Sequence, residues 1–239
     1  MKIGIYGLGG FGTFWAKELI KAGYEVIATS RSPKEIDGLT IVGYETFCNE
    51  SDIIFICSSI SSFDAVIENM AKHIDEKTII ADTCSVKLHP LEVMQKYLSA
   101  GQFVATHPMF GPQSGANGIA GLPIVLDALG NDDNKKVFED MFNAMELKIV
   151  PMTCDEHDRQ VAFSQALVHF LGRSLGKMKL QPIDIATYGY NNLLVLIQYI
   201  ENNSIELFHN LQTYNPYASE MREKLLETIT ETKNNVDSL

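Results

Sequence analysis

The sequence predicts an α/β chain, with a doubly wound parallel sheet over residues 1–151 and a small all-α region over residues 152–239. Three observations carry this. Short β-rich runs alternate with helical patterns through the first half, which is how a parallel sheet with crossover helices reads. Strand signals stop after Pro151, and the remainder is helical, broken at Pro182, Gly189 and Pro216. Finally, 46% hydrophobic residues in a chain of 239 are enough to bury a substantial core.

The expected strands are Lys2–Tyr6, Glu25–Thr29, Ile53–Cys57, Thr78–Asp82 and Phe103–Thr106, each a short run rich in β-branched or aromatic residues. Two further runs, Pro123–Leu126 and Leu147–Val150, extend the sheet, with a helix over Asn134–Met145 between them. Beyond the boundary the periodicity predicts helices over Asp155–Lys177, Asn191–Glu201, Ser204–Tyr214 and Pro216 to about Lys233.

Charge and cysteine usage narrow the functional classes. Thirty acidic against 19 basic residues give a formal charge of −11, so no bulk attraction draws this chain to nucleic acid or an anionic membrane, and anionic ligands must be held locally. Cys48, Cys57, Cys84 and Cys154 form no CxxC pair, and three lie in or beside apolar strand-like runs; they are expected to be reduced and structural, with no metal site. Met1–Tyr6 reads as a strand rather than a leader, and no apolar run approaches the length of a membrane span, so the cytoplasm is the expected location.

Gly7-Leu8-Gly9-Gly10-Phe11-Gly12 fits GxGxxG where that pattern has meaning, after the first strand and at the start of a helical pattern carried by Phe11, Trp15, Ala16 and Leu19. The first glycine permits the tight turn, the second lets the backbone approach a pyrophosphate, and the third allows close helix packing. The helix start adds amide donors and partial positive charge. This is a Rossmann dinucleotide site, with Ser58 at the end of a neighbouring strand added to the cofactor-facing set. About 20 residues on, where an acidic residue would hold the ribose 2′-hydroxyl of NAD, the chain reads Thr29-Ser30-Arg31-Ser32. A guanidinium between two hydroxyls suits a 2′-phosphate, so NADP is the expected cofactor.

Two later stretches, Asp82-Thr83-Cys84-Ser85-Val86-Lys87 and His107-Pro108-Met109-Phe110-Gly111-Pro112-Gln113-Ser114-Gly115, each fall at the C-terminal end of an expected strand. Ligands of open α/β sheets bind beyond those ends, so Ser85, Lys87 and His107 should converge there. Together the stretches resemble the prephenate and arogenate dehydrogenases of tyrosine biosynthesis. Gln165-Ala166-Leu167-Val168-His169-Phe170 resembles the first long helix of that family's C-terminal domain. The resemblance implies oxidative decarboxylation of a cyclohexadienol, with His107 as the base for the ring hydroxyl and Ser85 hydrogen-bonded to it or to the substrate. Histidine titrates near neutrality, which suits that role. Lys87, Gln113, Ser114 and Gly115 complete the expected substrate set on the sheet side. On the helical side Gln165, His169 and Arg173, spaced i, i+4, i+8, share one face and are expected to line the substrate cleft.

One departure bears on the substrate. Members of this family usually hold the substrate carboxylates with arginine on the helices that follow, whereas here those segments read Tyr190-Asn191-Asn192-Leu193 and Gln198-Tyr199-Ile200. Arg173 or Arg222 takes over the anchor, or the substrate differs. Two other readings stay open at this point: another NADP-dependent reductase with a Rossmann domain and helical tail, and a dinucleotide-binding regulatory protein without chemistry. The apolar residues Leu193, Leu196, Ile197, Ile200, Leu207 and Leu211, in a region too short to bury a core well, predict packing against a second copy and hence a homodimer.

Overall fold

A computed structural model describes residues 1–30 and 35–238, which divide into two compact units, Met1–Asp155 and Glu156–Leu239. The first is built from β1 (Lys2–Tyr6), α1 (Gly10–Lys21), β2 (Glu25–Thr29), β3 (Thr40–Ile41), α2 (Tyr44–Glu50), β4 (Ile53–Ile56), α3 (Phe63–Met70), β5 (Ile79–Asp82), α4 (Leu88–Tyr97), β6 (Phe103–Pro108), β7 (Pro123–Asp127), α5 (Asp132–Ala144) and β8 (Lys148–Pro151). They form one eight-stranded sheet in the order β3-β2-β1-β4-β5-β6-β7-β8. From β3 to β6 this is the order of a Rossmann fold, reversing between β1 and β4. The central strands are buried on both faces, Ile53–Ile56 completely, as expected where helices cover a parallel sheet. Trp15 on α1 is fully buried against Phe55 of β4, their rings edge to face at 5.6 Å.

Two features differ from the sequence expectation. β3 is a two-residue edge strand that its composition did not announce. The sheet is also not wholly parallel, because β6 and β7 pair antiparallel, His107 opposite Val125. Parallel pairing needs a crossover long enough to return the chain, usually a helix. Residues 109–122 contain none, so β7 runs back along β6, and α5 then restores parallel pairing between β7 and β8.

In the second unit the expected helix over Asp155–Lys177 is interrupted. α6 (Cys154–Val161) passes into a π-helical turn, Ala162–Ala166, before α7 (Leu167–Gly176) resumes. α8 (Tyr188–Glu201), α9 (Ile205–Thr213) and α10 (Ala218–Asp237) follow. Thr187 and Ser204 cap α8 and α9, their hydroxyls accepting from the amides of Tyr190 (3.2 Å) and Leu207 (3.1 Å). Val161, Ala162, Ala166, Leu211 and Met221 make the core. α7 and α8 lie close because Gly172 and Gly176, one turn apart, carry no side chains; a Cβ on Gly172 would sit 2.7 Å from Ile200.

The apolar residues expected at a subunit contact therefore divide. Ile197, Ile200 and Leu211 are buried within the chain, because glycine on α7 admits Ile200 and the π-turn region admits Leu211. The exposed apolar side chains of this unit are others, Ile185, Tyr188, Val195 and Tyr199 among them. Among the described residues no helix is long and apolar enough to cross a membrane.

Candidate active site

The glycine-rich turn joins β1 to α1 in the geometry its sequence requires. Gly7 has φ +96° and its amide donates to Thr29 O at 3.1 Å, tying the turn to the end of β2. A Cβ on Gly12 would lie 2.0 Å from the Gly7 carbonyl oxygen, so only glycine lets the helix start this close to the strand. At Gly9 and Gly10, by contrast, an added Cβ meets nothing within 4 Å: the backbone there faces open space. No side chain caps α1, so the first amides of the helix face the turn without a side-chain acceptor. A cleft lined by Gly7, Gly9, Ser30, Cys57, Ser58 and Ser62 opens beside this turn. The Ser58 hydroxyl is buried in the protein without a hydrogen-bond partner.

Leu8 and Phe11, expected at the cofactor, turn their side chains elsewhere. Leu8 is buried in the core and Phe11 stacks on Trp15 at 6.1 Å, leaving only their backbone to the turn. Arg31 and Ser32 lie outside the described residues.

Ser85 and His107 come to the same end of adjacent strands. β5 and β6 are parallel neighbours, with Asp82 paired to Ala105, and Ser85 lies in the loop after β5 while His107 is near the end of β6. What joins them is a carboxylate the sequence reading left without a role. Asp82, fully buried, accepts from the amides of Cys84 (2.9 Å) and Thr106 (3.3 Å) and pairs with the ammonium of Lys87. Lys87 also donates to Thr106 O at 2.6 Å, and the Thr106 hydroxyl donates to Asp82 O at 2.5 Å. Burial pushes the Asp82 carboxyl above its ordinary value, and Lys87 with the two amides opposes that shift. The network thus binds the loop that carries Ser85 to the strand that carries His107, itself 4% exposed.

Lys87 was expected to bind substrate. At 1% exposure, with its ammonium on Asp82 and the Thr106 carbonyl, it stands instead as an internal brace of the rim. The signal was present in the sequence: a lone Asp ending an apolar strand, with Lys five residues on, leaves two charges that burial must bring together.

Residues 111–117 form the loop after β6. The Ser114 hydroxyl closes its turn by accepting from the Gly111 amide at 3.0 Å, while the Gln113 side chain is exposed. Gly115 is buried beside Phe14 of α1, which a Cβ would meet at 2.6 Å. Phe110 also packs edge to face on Phe14, at 6.3 Å, so the loop is fastened to the helix that opens the nucleotide turn.

On the helical side, Gln165 lies in the π-turn and His169 and Arg173 on α7. All three carry a buried polar atom without a hydrogen-bond partner: Gln165 Oε1, His169 Nδ1 and Arg173 Nε. Burial, with the Arg173 guanidinium adding to it, pushes the His169 imidazole down to about 4, so it is neutral at physiological pH. Arg173 also donates through Nη2 to Asn203 O at 2.5 Å. Arg222 is committed elsewhere, donating to Gln212 O (3.0 Å) and Gln212 Oε1 (2.9 Å). Gln212 in turn donates to Ala166 O at 2.8 Å, satisfying a carbonyl of the π-turn. Of the two arginines expected as alternative anchors, Arg222 braces this turn and Arg173 keeps a donor unused.

Known proteins resemble this chain in sequence and in fold. Residues 19–147 match the family model described as prephenate dehydrogenase, nucleotide-binding domain, and residues 174–238 match the TYRAAT1-like C-terminal domain. Arogenate dehydrogenase 2 (chloroplastic) of Arabidopsis thaliana is 35% identical over 94% of this chain and 67% of its own length. Arogenate dehydrogenase 1 (chloroplastic) of the same plant is 36% identical over 94% of the chain, which spans 37% of that protein's length. Among solved structures, prephenate dehydrogenase from A. aeolicus, in complex with hydroxyphenyl propionate and NAD+, superposes with a TM-score of 0.78 at 16% identity, covering 100% of this chain and 90% of that one. Synechocystis arogenate dehydrogenase gives 0.74 at 22% identity, covering 98% and 93%. The structural likenesses speak for the fold; with the family model spanning more than half of the chain and the 35% identical relative covered over two thirds of its length, the chain belongs to the prephenate dehydrogenase family.

Proposed function

We propose that this chain oxidises and decarboxylates a cyclohexadienol, prephenate or arogenate, to a 4-hydroxyphenyl product in tyrosine biosynthesis, with NADP as the cofactor. The observation that carries the reading is the pairing of an open glycine cradle with Ser85 and His107 at neighbouring strand ends of the same sheet. The residues present fit a dinucleotide. Gly9 and Gly10 leave space for a pyrophosphate, the uncapped start of α1 offers amides, and Ser58 offers an unused buried hydroxyl. A nicotinamide bound there supplies the hydride acceptor.

The chain's own residues then have three tasks. His107 takes the proton of the ring hydroxyl as hydride leaves the carbinol carbon, and returns it to the phenolate oxygen once loss of CO2 has made the ring aromatic. Ser85 orients that hydroxyl toward the imidazole. The Asp82–Lys87 brace holds the two in register, so that the geometry exists before substrate arrives. The preference for NADP rests on Arg31 between Ser30 and Ser32, where a 2′-phosphate would meet a cation and not a carboxylate. The exposed Ile185, Tyr188, Val195 and Tyr199 support a homodimer as the form that covers them, and four free cysteines suit a reducing compartment, the cytoplasm.

The test is turnover of prephenate and of arogenate with NADP+ and NAD+, followed by absorbance of the reduced cofactor. The expected result is NADP-linked activity that His107→Asn lowers by about 10²- to 10⁴-fold while cofactor affinity is kept. Turnover of neither substrate by a chain that still binds NADPH overturns the reading.

A further inference from the structure

The loop after β6 meets the helix of the glycine turn in one close contact. Gly115 is buried, and a Cβ placed on it would stand 2.6 Å from Cζ and 3.2 Å from Cε2 of Phe14 on α1. Its backbone does not ask for glycine, since it lacks the left-handed conformation that Gly118 adopts at φ +107°. What bars a side chain at 115 is chiefly the ring, with Gly111 O second at 3.2 Å. Nor is the ring free to swing aside. It packs against Phe11 at 6.1 Å and edge to face against Phe110 at 6.3 Å, and Phe110 packs in turn on the fully buried Trp15 at 6.2 Å.

Both sides of the contact are themselves fixed. On the helix, Gly12 lets α1 start so close to the Gly7 carbonyl that a Cβ would lie 2.0 Å from it, so Phe14 follows the glycine turn. On the loop, the Gly115 amide donates to Gly111 O at 2.8 Å and the Gly111 amide to the Ser114 hydroxyl at 3.0 Å, which closes residues 111–115 into a single turn. Phe110 follows His107 by three residues, and the exposed Gln113 and Ser114 lie between the fastened positions. Neither Phe14 nor Gly115 lines the cleft beside the glycine turn.

We infer that Phe14 is a positioning residue: seated on Gly115 and against Phe110, it makes the glycine turn and the loop that follows His107 one body, so that a nucleotide that orders the turn also orders the loop. This rests on the function proposed above and adds a residue remote from the reacting atoms. Its effect is to set the loop leaving the catalytic strand before the ring alcohol arrives, which removes that ordering from the reacting complex.

Hydrogen exchange with and without NADPH reads the coupling without turnover. In the wild type the nucleotide should slow exchange in residues 7–13 and also, on the order of tenfold, in residues 109–118; in Phe14→Ala the first protection should stay and the second should fall below about twofold. The same variant should lose on the order of ten- to a hundredfold in kcat/KM for the ring substrate while cofactor affinity stays within about twofold. Gly115→Ala should lower the unfolding midpoint by about 3–10 °C, and adding Phe14→Leu, which lacks the ring atoms in the way, should restore more than about half of that. Loop protection that survives Phe14→Ala, or that is absent in a wild type whose glycine turn is protected, overturns the positioning role. So does a Gly115→Ala chain that loses no stability or recovers none with Phe14→Leu. A chain that couples as described but turns over neither substrate keeps the role and loses the proposed reaction; one that does not bind NADPH loses both.

Discussion

The rim of the sheet and the stripe on the long helix both bury polar groups, and they do so to opposite effect. At the rim, the Asp82 carboxylate has an ammonium and two amides, and Lys87 has a carboxylate and a carbonyl. On the helix, Gln165, His169 and Arg173 each keep one buried atom without a partner. Buried polar groups in proteins are nearly always satisfied, so the contrast separates a scaffold complete within the chain from a cluster that the described residues leave incomplete. The rim fastens a loop to a strand within the chain; the stripe keeps polar atoms that no described residue completes.

If that contrast is sound, damage to the rim should be the more costly. Lys87→Met leaves the Asp82 carboxyl fully buried without its cation and should lower unfolding free energy by about 3–5 kcal/mol. Replacing both partners, as Asp82→Leu with Lys87→Met, should recover part of that loss, because the buried unpaired charge is gone while the amides of Cys84 and Thr106 still lose their acceptor. Denaturant titrations of the single and double variants measure both. A cost below about 1 kcal/mol for Lys87→Met would mean that the pair is not the brace described.

A smaller effect should follow pH. His169 is held down to about 4 by burial, with Arg173 adding to it, whereas an unfolded imidazole titrates near 6.5. The unfolded chain therefore takes up the proton first. The stabilisation from keeping this imidazole neutral is whole above about pH 6.5 and declines as pH falls toward 4. Once screening by solvent is allowed for, the loss should be about 1–2 kcal/mol, absent in His169→Asn. An NMR titration of the His169 ring gives the direct check. A midpoint near 6.5 would mean that solvent reaches the stripe, and the comparison with the rim would collapse.

How far the sequence disclosed this molecule depended on whether the information was local. The glycine turn was legible because each glycine answers a constraint set within a few residues: the φ of Gly7, and the contact of Gly12 with Gly7 O. Ser85 and His107 were legible because strand ends in a parallel sheet share one rim. Lys87 was read toward a ligand because its nearness to the rim was weighed above its spacing from Asp82; the burial that brings the two charges together is completed by Thr106, on a strand 19 residues further along. The π-turn left no trace in the periodicity, which keeps Gln165, His169 and Arg173 on one face whether or not a residue is inserted upstream. What packs on it lies in α9 and α10, where Gln212 donates to Ala166 O and Arg222 holds Gln212. Ile200 and Leu211 looked like contact residues for the same reason: the glycine face and the core that bury them are long-range neighbours.

The smallest expected effect sets two glutamines against each other. Gln212 donates to Ala166 O and accepts from Arg222, so Gln212→Leu removes two made bonds, at a cost of about 1–3 kcal/mol. Gln165 has a buried oxygen that bonds to nothing among the described residues, so Gln165→Leu removes an unsatisfied atom and should change stability by less than about 1 kcal/mol, toward greater stability. Thermal unfolding of the ligand-free variants compares them directly. The two residues share a type and a side-chain size, one in the π-turn and one on α9 bonded to it, and they differ in the state of their hydrogen bonds. A loss in Gln165→Leu as large as that in Gln212→Leu would show that Gln165 is satisfied in the folded chain, and the stripe would then be scaffold like the rim.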